Sequence, residues 1–519
     1  MSISTFSVTR LGIWIATLGT LTACVINPVT GDRELALISA ADEVAIGEQQ
    51  YAPSQQMQGG DYTLDPALSA YVAGVGQKLA AVSDRDLPYE FAVLNSSVPN
   101  AWALPGGKIA VNRGLLMELQ SEAELAAVLG HEIVHAAARH GALAMQRGLL
   151  LQGALLATAI AAQRGNYAGL AVGAASIGAQ LISQRNSRGA ELESDLYGMR
   201  YMSVAGYDPQ AAVSLQETFV RLSQANGEQG RLATLFASHP PSAERVERNR
   251  QTAATLPSGG ELGRERYQAA TATLRQRRPA YESYDQGREA LADDRIADAE
   301  RLAAEAARLV PAEAQFHALL GDIDVERERF ADAVGHYNDA IARNDRFFYY
   351  HLRKGITQQR LRQWDASAAA LQTSIELLPT ADAYYGLGRI AEQRGDRATA
   401  LEHYARAAQS STSAGQAAQD AAVRLDLPAN PGKYLALRTA LDSQGQLIVD
   451  LANPTRVPVA DIVVTVRYAD AQGAIRETSR QFSGQLPPNG VQRWTTGLGP
   501  FATIDATQVV VARARVIEQ

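Results

Sequence analysis

The feature that most constrains the fold is a period. Glycines at Gly287, Gly321, Gly355 and Gly388 recur at intervals of 34, 34 and 33 residues, and each is followed 12 residues later by a small side chain, at Ala299, Ala333, Ser367 and Ala400. Large residues fill another slot at Tyr337, Leu371 and Tyr404, small ones a further slot at Ala306, Ala340 and Ala407, and Pro311 and Pro379 close two of the units. A unit this short cannot bury its own apolar face, so it must stack on its neighbours. The pattern predicts four helix hairpins over about 280–413, within an array spanning 280–425.

This is the spacing of tetratricopeptide repeats, which stack into an α-solenoid with a concave groove suited to a protein segment. From about residue 430 the period changes to that of strands. Gln446–Leu451, Ile462–Tyr468 and Val509–Ala514 are β-rich runs, separated by turn signals at Asn453-Pro454, Asp470–Gly473 and Pro487–Gly490. These predict a small C-terminal antiparallel β domain, β-sandwich-like, over 430–519, in which no titratable cluster suggests chemistry. Residues 256–279 are expected to be a linker, and 24–255 a mixed domain of its own. The expected protein is multidomain and mainly α. Its 46% hydrophobic and 20% charged residues fit folded domains, and a net charge of −7 over 519 residues offers no basic field for nucleic acid.

A single cysteine excludes an intramolecular disulfide and any thiolate metal cage. Its position gives it another use. Arg10, the apolar run Leu11–Leu21 and the small residues Thr22-Ala23 precede Cys24, the layout of a secretory signal over 1–23. The run is too short to span a bilayer as a mature helix, for which about 20 residues are needed. Leu21-Thr22-Ala23-Cys24 resembles a bacterial lipobox, which implies lipidation of Cys24 and a membrane anchor of acyl chains. By likeness to Gram-negative lipoproteins, Val25 after the cysteine favours the periplasmic side of the outer membrane over retention at the inner one.

The chemistry is predicted on one helix. Ser121-Glu122-Ala123-Glu124 reads as a capping box, after which the chain runs Leu125–Gly130 and then His131-Glu132-Ile133-Val134-His135. Histidines four apart lie on one helix face and can grip a single ion. Glu132 beside the first can take a proton from a water at that ion without being a ligand. This is the H-E-x-x-H pattern of zincin peptidases, with Zn2+ as the expected cofactor. His140 falls outside the spacing and reads as a helix-end residue interacting with the dipole. A catalytic zinc usually takes three protein ligands, so the third must come from elsewhere. Glu191 and Asp195 share a helix face downstream and offer a ligand and a carboxylate to hold a ligand imidazole. Glu193, about 200° from Glu191 at helical spacing, is the weaker candidate. Between them, Gly148–Ile182 is strongly apolar but interrupted at Gln163–Asn166, which predicts buried or cleft-covering helices, with a membrane-surface contact as the alternative.

Taken in order, Asn100–Gly107, Val111–Leu116, the zincin helix, the Glu191 and Asp195 pair, and Ser238-His239-Pro240-Pro241 with Arg245 resemble the peptidase domain of the minigluzincin metalloproteases, the HtpX-like and BepA-like family. Asn27–Gly31 is similar to lipoprotein members, and the following repeats are similar to the BepA-like architecture. The resemblance covers about residues 25–250. It implies an α+β zincin-type peptidase domain with His131, His135 and Glu191 as ligands, Glu132 as general base, Asp195 behind the ligands, and His239 and Arg245 near the active site. His239 would stabilise the oxyanion or occupy the open zinc position at rest. Arg245 would bind a substrate carbonyl or pair with a local carboxylate. The strand Lys108–Asn112 would lie at the cleft edge, with Ile109, Ala110 and Val111 receiving an extended substrate. The implied role is quality control of unfolded or misassembled periplasmic and outer-membrane proteins, with clients or other partners held by the repeats. The alternatives are a chaperone-like binding lipoprotein with a latent site, and a purely structural zinc.

Overall fold

The computed structural model describes residues 24–148, 186–226, 233–470 and 472–517. The expected signal segment and residues 149–182 of the apolar stretch lie outside the described residues. The chain divides into two compact units, 1–350 and 351–519.

The first unit opens on a short hairpin, β1 (Cys24–Ile26) with β2 (Arg33–Leu35), so the Cys24 backbone pairs with Leu35. Helices α1 (Ala40–Met57) and α2 (Pro66–Ala80) precede a three-stranded sheet of β3 (Glu90–Leu94), β4 (Ala101–Leu104) and β5 (Lys108–Asn112). The strand order is β3-β5-β4, with β5 parallel to β3 and antiparallel to β4. All five residues of β5 are buried. This corrects the expectation for Ile109, Ala110 and Val111. Both hydrogen-bonding edges of β5 are taken, so an added substrate strand cannot pair there. A Pro-Gly-Gly turn joins β4 to β5, with Gly106 at φ 79° and Gly107 at φ 85°, and a Cβ on Gly106 would lie 2.7 Å from the Val44 backbone.

Helices α3 (Arg113–Glu118) and α4 (Glu122–Ala137) follow, then α5 (Arg188–Val204), α6 (Gln210–Asn226), α7 (Ala233–Ser238) and α8 (Ala243–Thr255). The core is built on α4, where Leu125, Leu129, Ile133 and Val134 are all within 1% of full burial. Residues expected as a linker instead contain α9 (Arg264–Gln276). Tyr267 and Leu274 are fully buried in the same core and Tyr267 donates to the Leu116 carbonyl at 2.6 Å, because one face of this segment carries apolar side chains at helical spacing.

The hairpins α10 (Arg278–Ala292) with α11 (Ile296–Leu309), and α12 (Ala314–Glu326) with α13 (Phe330–Arg343), complete the first unit. Helix α14 (Phe348–Arg360) carries the chain onward to α15 (Trp364–Leu377), α16 (Ala381–Gln393), α17 (Arg397–Ala407) and α18 (Ser413–Asp426). The period has a steric cause. A Cβ on Gly321 would lie 2.7 Å from the Tyr337 ring, one on Gly355 2.7 Å from Leu371, and one on Gly388 2.5 Å from Tyr404. Each glycine therefore makes the seat for the large residue of the next helix. The small slots are closed to solvent at Ala299, Ala333, Ser367 and Ala400, and Ser367 is tolerated because its hydroxyl donates to the Gly355 carbonyl at 2.7 Å.

The second unit ends in β6 (Ala436–Leu441), β7 (Leu447–Ala452), β8 (Val459–Ala469), β9 (Ile475–Gln481), β10 (Gln485–Leu486), β11 (Val491–Thr495) and β12 (Thr507–Val516). All pairings are antiparallel, in one sheet ordered β11-β7-β6 and another in which β8 pairs with β12, β9 and β10. Leu447, Val449 and Leu451 of β7 alternate inward into one buried cluster with Val464 and Val466 of β8 and with Trp494 of β11, the strand beside β7 in its own sheet. Among the described residues no helix is long and apolar enough to cross a membrane.

Candidate metal centre

Helix α4 starts where expected, with the Ser121 hydroxyl accepting from the Glu124 N–H at 3.1 Å. Glu124 reaches back one residue further than a capping box requires, accepting from the Gln120 N–H at 2.6 Å. Glu122 is buried at this helix start, where it accepts from Tyr71 (2.7 Å), Tyr207 (3.0 Å) and Arg266 of α9 (3.0 Å). Burial alone would raise its carboxyl, but these donors hold it below the ordinary value.

Helices α4 and α5 meet at a pair of glycines. A Cβ on Gly130 would come within 3.1 Å of the Gly198 carbonyl oxygen, and one on Gly198 within 3.0 Å of the Gly130 and His131 backbone. Backbone-to-backbone contact one residue before His131 lets the carboxylates of α5 reach its imidazole.

Four side chains converge there. His131 Nε2 lies 3.0 Å from His135 Nε2 and 3.4 Å from Glu191 Oε2, and His135 Nε2 lies 3.3 Å from Glu191 Oε1. His239, which follows α7, brings its Nδ1 to 3.1 Å from Glu191 Oε1 and 3.3 Å from His131 Nε2. His131, His135, Glu191 and His239 form a buried group that could hold a metal ion. A tetrahedral ion with bonds of about 2.0–2.1 Å separates its ligand atoms by about 3.3 Å, so the measured spacings are those of a tetrahedron's edges. Glu132 is buried beside the group, with Oε1 3.6 Å from His239 Nε2.

A second layer fixes these groups. Asp195 Oδ1 lies 2.9 Å from His131 Nδ1, so His131 presents Nε2 to the cluster. Arg245, whose N–H closes the Ser242 cap of α8, grips Asp195 with two bonds of 2.7 Å and lies 2.8 Å from Glu191 Oε2. Of the two uses expected for Arg245, its guanidinium serves the local carboxylates. Burial would lower His131, but Glu191 and Asp195 outweigh it and raise it to about 10. Burial would raise Asp195, but Arg245 and His131 bring it down to about 2. His135 is pushed below its ordinary value by burial.

Sequence reasoning missed the partner of His135. His140 is not a bystander at the helix end, because its Nδ1 lies 2.9 Å from His135 Nδ1 and its Nε2 lies 3.4 Å from Glu193 Oε1. The chain leaves α4 through Arg139 at φ 65°, a turn held by ion pairing of Arg139 with the buried Glu43 and by its bond to the Ile38 carbonyl at 2.6 Å. That turn swings His140 back over His135. Glu193, set aside on angle, reaches the centre through His140.

Beside the centre is a cavity of about 60 Å³, lined by Val128, Met199, Met202, Leu215, Phe219 and Leu235 with His131, Glu132 and His239 at its polar end. Apolar walls next to the polar group suit an aliphatic or aromatic side chain.

Comparison with known proteins places this region in a family. The profile of Peptidase family M48 matches residues 66–253, which include every residue of the centre. The chain is 31% identical over 199 residues to a putative beta-barrel assembly-enhancing protease of Vibrio cholerae, covering 37% of this chain and 40% of that protein. It is 36% identical over 181 residues to the mitochondrial metalloendopeptidase OMA1 of Schizosaccharomyces pombe, covering 34% and 51%. Against these two the chain spans about two fifths to half of the relative's length. It is 30% identical over 232 residues to the metalloprotease YcaL of Escherichia coli, covering 42% of this chain and 83% of that protein. With the profile spanning the helices that build the centre, and a metalloprotease relative covered over most of its length at 30% identity, the chain belongs to Peptidase family M48.

Proposed function

We propose that the chain is a zinc-dependent endopeptidase of the bacterial cell envelope that cleaves unfolded or misassembled periplasmic and outer-membrane proteins. The observation that carries this reading is the set of His131, His135 and Glu191 at tetrahedral spacing with Glu132 against it. His131, His135 and Glu191 would hold the zinc, which when bound polarises the scissile carbonyl and makes water a better nucleophile. Glu132 takes the proton of the attacking water and returns it to the leaving amine. Asp195 and His140 orient the two imidazoles, and Arg245 keeps Asp195 ionised and holds both Asp195 and Glu191 in place. An extended substrate would align on β4, the strand next to α4 at the sheet edge, rather than on β5. The relatives named as beta-barrel assembly-enhancing proteases support the envelope setting, and a lipidated Cys24 would tether the chain at the outer membrane. The repeats would hold client or partner proteins. A cavity of about 480 Å³ between Gln58, Asn95 and Ser97 on one side and Tyr284, Arg288 and Phe347 on the other is a place for such a segment.

The position of His239 favours a second reading, a chaperone-like lipoprotein with a latent peptidase. Its Nδ1 lies 3.3 Å from His131 Nε2 and 3.1 Å from Glu191 Oε1, so as a fourth ligand His239 would leave a four-coordinate zinc no position for water or substrate. Casein digestion by the purified protein, with metal analysis, tests both. The expected result is about one zinc at the centre and cleavage that Glu132→Gln abolishes while the metal stays bound. If Glu132→Gln keeps full biological activity, the binding role stands and the protease role falls.

A further inference from the structure

A second histidine cluster lies in the repeats, remote in sequence from the peptidase residues. Its members are His317, at the end of the first turn of α12, and His336 and Asp339, three apart on α13. Each offers one ligand atom, and the three atoms lie within 4.8 Å of one another. What distinguishes the cluster from a chance grouping of polar residues is that Nε2 of each imidazole faces an acceptor. His317 Nε2 donates to the Pro311 carbonyl at 2.9 Å. His336 Nε2 faces Asp324 Oδ2 at 3.5 Å, and Asp324 is nearly fully buried and ion-paired with Arg329. With Nε2 turned to an acceptor, each ring has its Nδ1 left to face a ligand. His336 Nδ1 is buried with no hydrogen-bond partner, a cost that a ligand would remove. A carboxylate behind one histidine and a backbone carbonyl behind the other are the usual supports of metal-ligating imidazoles.

We propose that His317, His336 and Asp339 form a second cation site, independent of the peptidase centre, that takes a divalent transition ion, zinc foremost, and clips α12 to α13. Two imidazoles and one carboxylate suit zinc, copper or nickel rather than calcium or magnesium. Asp339 is exposed and gives up only a 3.5 Å surface pair with Arg343 to complete the set. Arg343 is the opposing charge, but its Nε is turned to the Pro311 carbonyl at 2.7 Å. The clip acts on the hairpin that docks the repeats on the peptidase sheet. One turn before His317, Glu313 accepts from Asn95 Nδ2 at 3.0 Å and Gln315 donates to the Asn95 carbonyl at 2.7 Å, while Arg113 holds the Asn95 side chain at 2.7 Å.

The test is zinc stoichiometry of the full chain, stripped with chelator and dialysed against micromolar free zinc. The expected values are about two ions per chain for the wild type and about one for His336→Gln or His317→Gln, with casein cleavage unchanged. Asp339→Asn should retain the ion at least tenfold more weakly. Melting of His336→Gln and wild type in chelator should coincide, which checks the fold. If His336→Gln failed to fold, the exposed Asp339→Asn is the deciding variant. Equal stoichiometry and equal zinc affinity in the wild type and Asp339→Asn would overturn the proposal, as would a wild type that binds only the ion His135→Ala removes.

Discussion

A histidine ligand is only as good as what holds its far nitrogen, and the two candidate ligands on α4 are held differently. His131 rests on Asp195, a carboxylate fixed in turn by Arg245, whereas His135 rests on His140. Replacing His140 by Ala should therefore weaken metal binding about 10–100-fold without unfolding the domain, because an orienting partner is lost while every ligand stays. Competition with a chromogenic chelator reads this directly, and unchanged affinity would mean that His135 needs no partner. Arg245→Ala is a harsher change. It leaves Glu191 and Asp195 buried without their counter-ion, a loss of about 3–5 kcal/mol, and Arg245→Lys should not restore it because a single ammonium cannot make the two-pronged grip on Asp195. The expected outcome is a lower melting temperature and poor metal retention for both variants. The ligands themselves were legible in the sequence because a motif on one helix depends only on helical geometry. His140 and Glu193 were not, because their meeting depends on a left-handed turn at Arg139 whose cause, Glu43, is nearly a hundred residues away.

Between elements, the critical contact is the crossing of α4 and α5 at Gly130 and Gly198. The added Cβ of Gly198→Ala would press on backbone atoms, which cannot rotate away as a side-chain tip can. The helices must part, at about 1–3 kcal/mol, and Glu191 and Asp195 move with α5. We expect Gly198→Ala to lower the melting temperature and also loosen the metal, whereas Gly206→Ala, next to open space but at φ 85°, should cost stability with metal affinity intact. A Gly198→Ala protein with normal metal affinity would show that the close approach does not set the centre. Local patterns were read well where the cause is local, as in the Ser121 cap, the glycine seats of the repeats and the alternating strand β7. The strand Lys108–Asn112 was recognised as a strand but given the wrong place. Neighbour order in a sheet is a tertiary fact, and the continuous apolar run of β5 was the available sign that it lay in the middle.

Across the whole chain, the division at 350/351 falls inside the periodic region rather than at its end. Solenoid repeats have no core of their own, and the first hairpin joins the peptidase core through Tyr281 and Tyr284, as helix α12 of the second does through Phe316 and Leu319. Periodicity reveals the repeats but not which of them another domain has absorbed. The two units should then answer to different conditions. Both proposed metal sites lie in the first unit, so chelation should lower only the calorimetric transition of residues 24–350, by mass action. The second unit should respond to acid through Asp426, at the end of α18. Burial would raise this carboxyl, but Lys433, Asn430 and Tyr434 bond to it at 2.9 Å each, Arg397 pairs with it, and it is held at about 2 against an ordinary 3.8. Because the folded carboxyl binds its proton less readily than the unfolded one, the unfolded state takes up more protons as pH falls. The stabilisation is complete above the unfolded value and disappears between about pH 4 and pH 2. With chelator present throughout, so that metal loss does not intrude, the second transition should fall through that window in the wild type. In Asp426→Asn it should start lower at neutral pH and change less, the two converging near pH 2. Curves that stay parallel down to that pH would show that Asp426 is not the acid-sensitive link between the last repeat helix and the β domain.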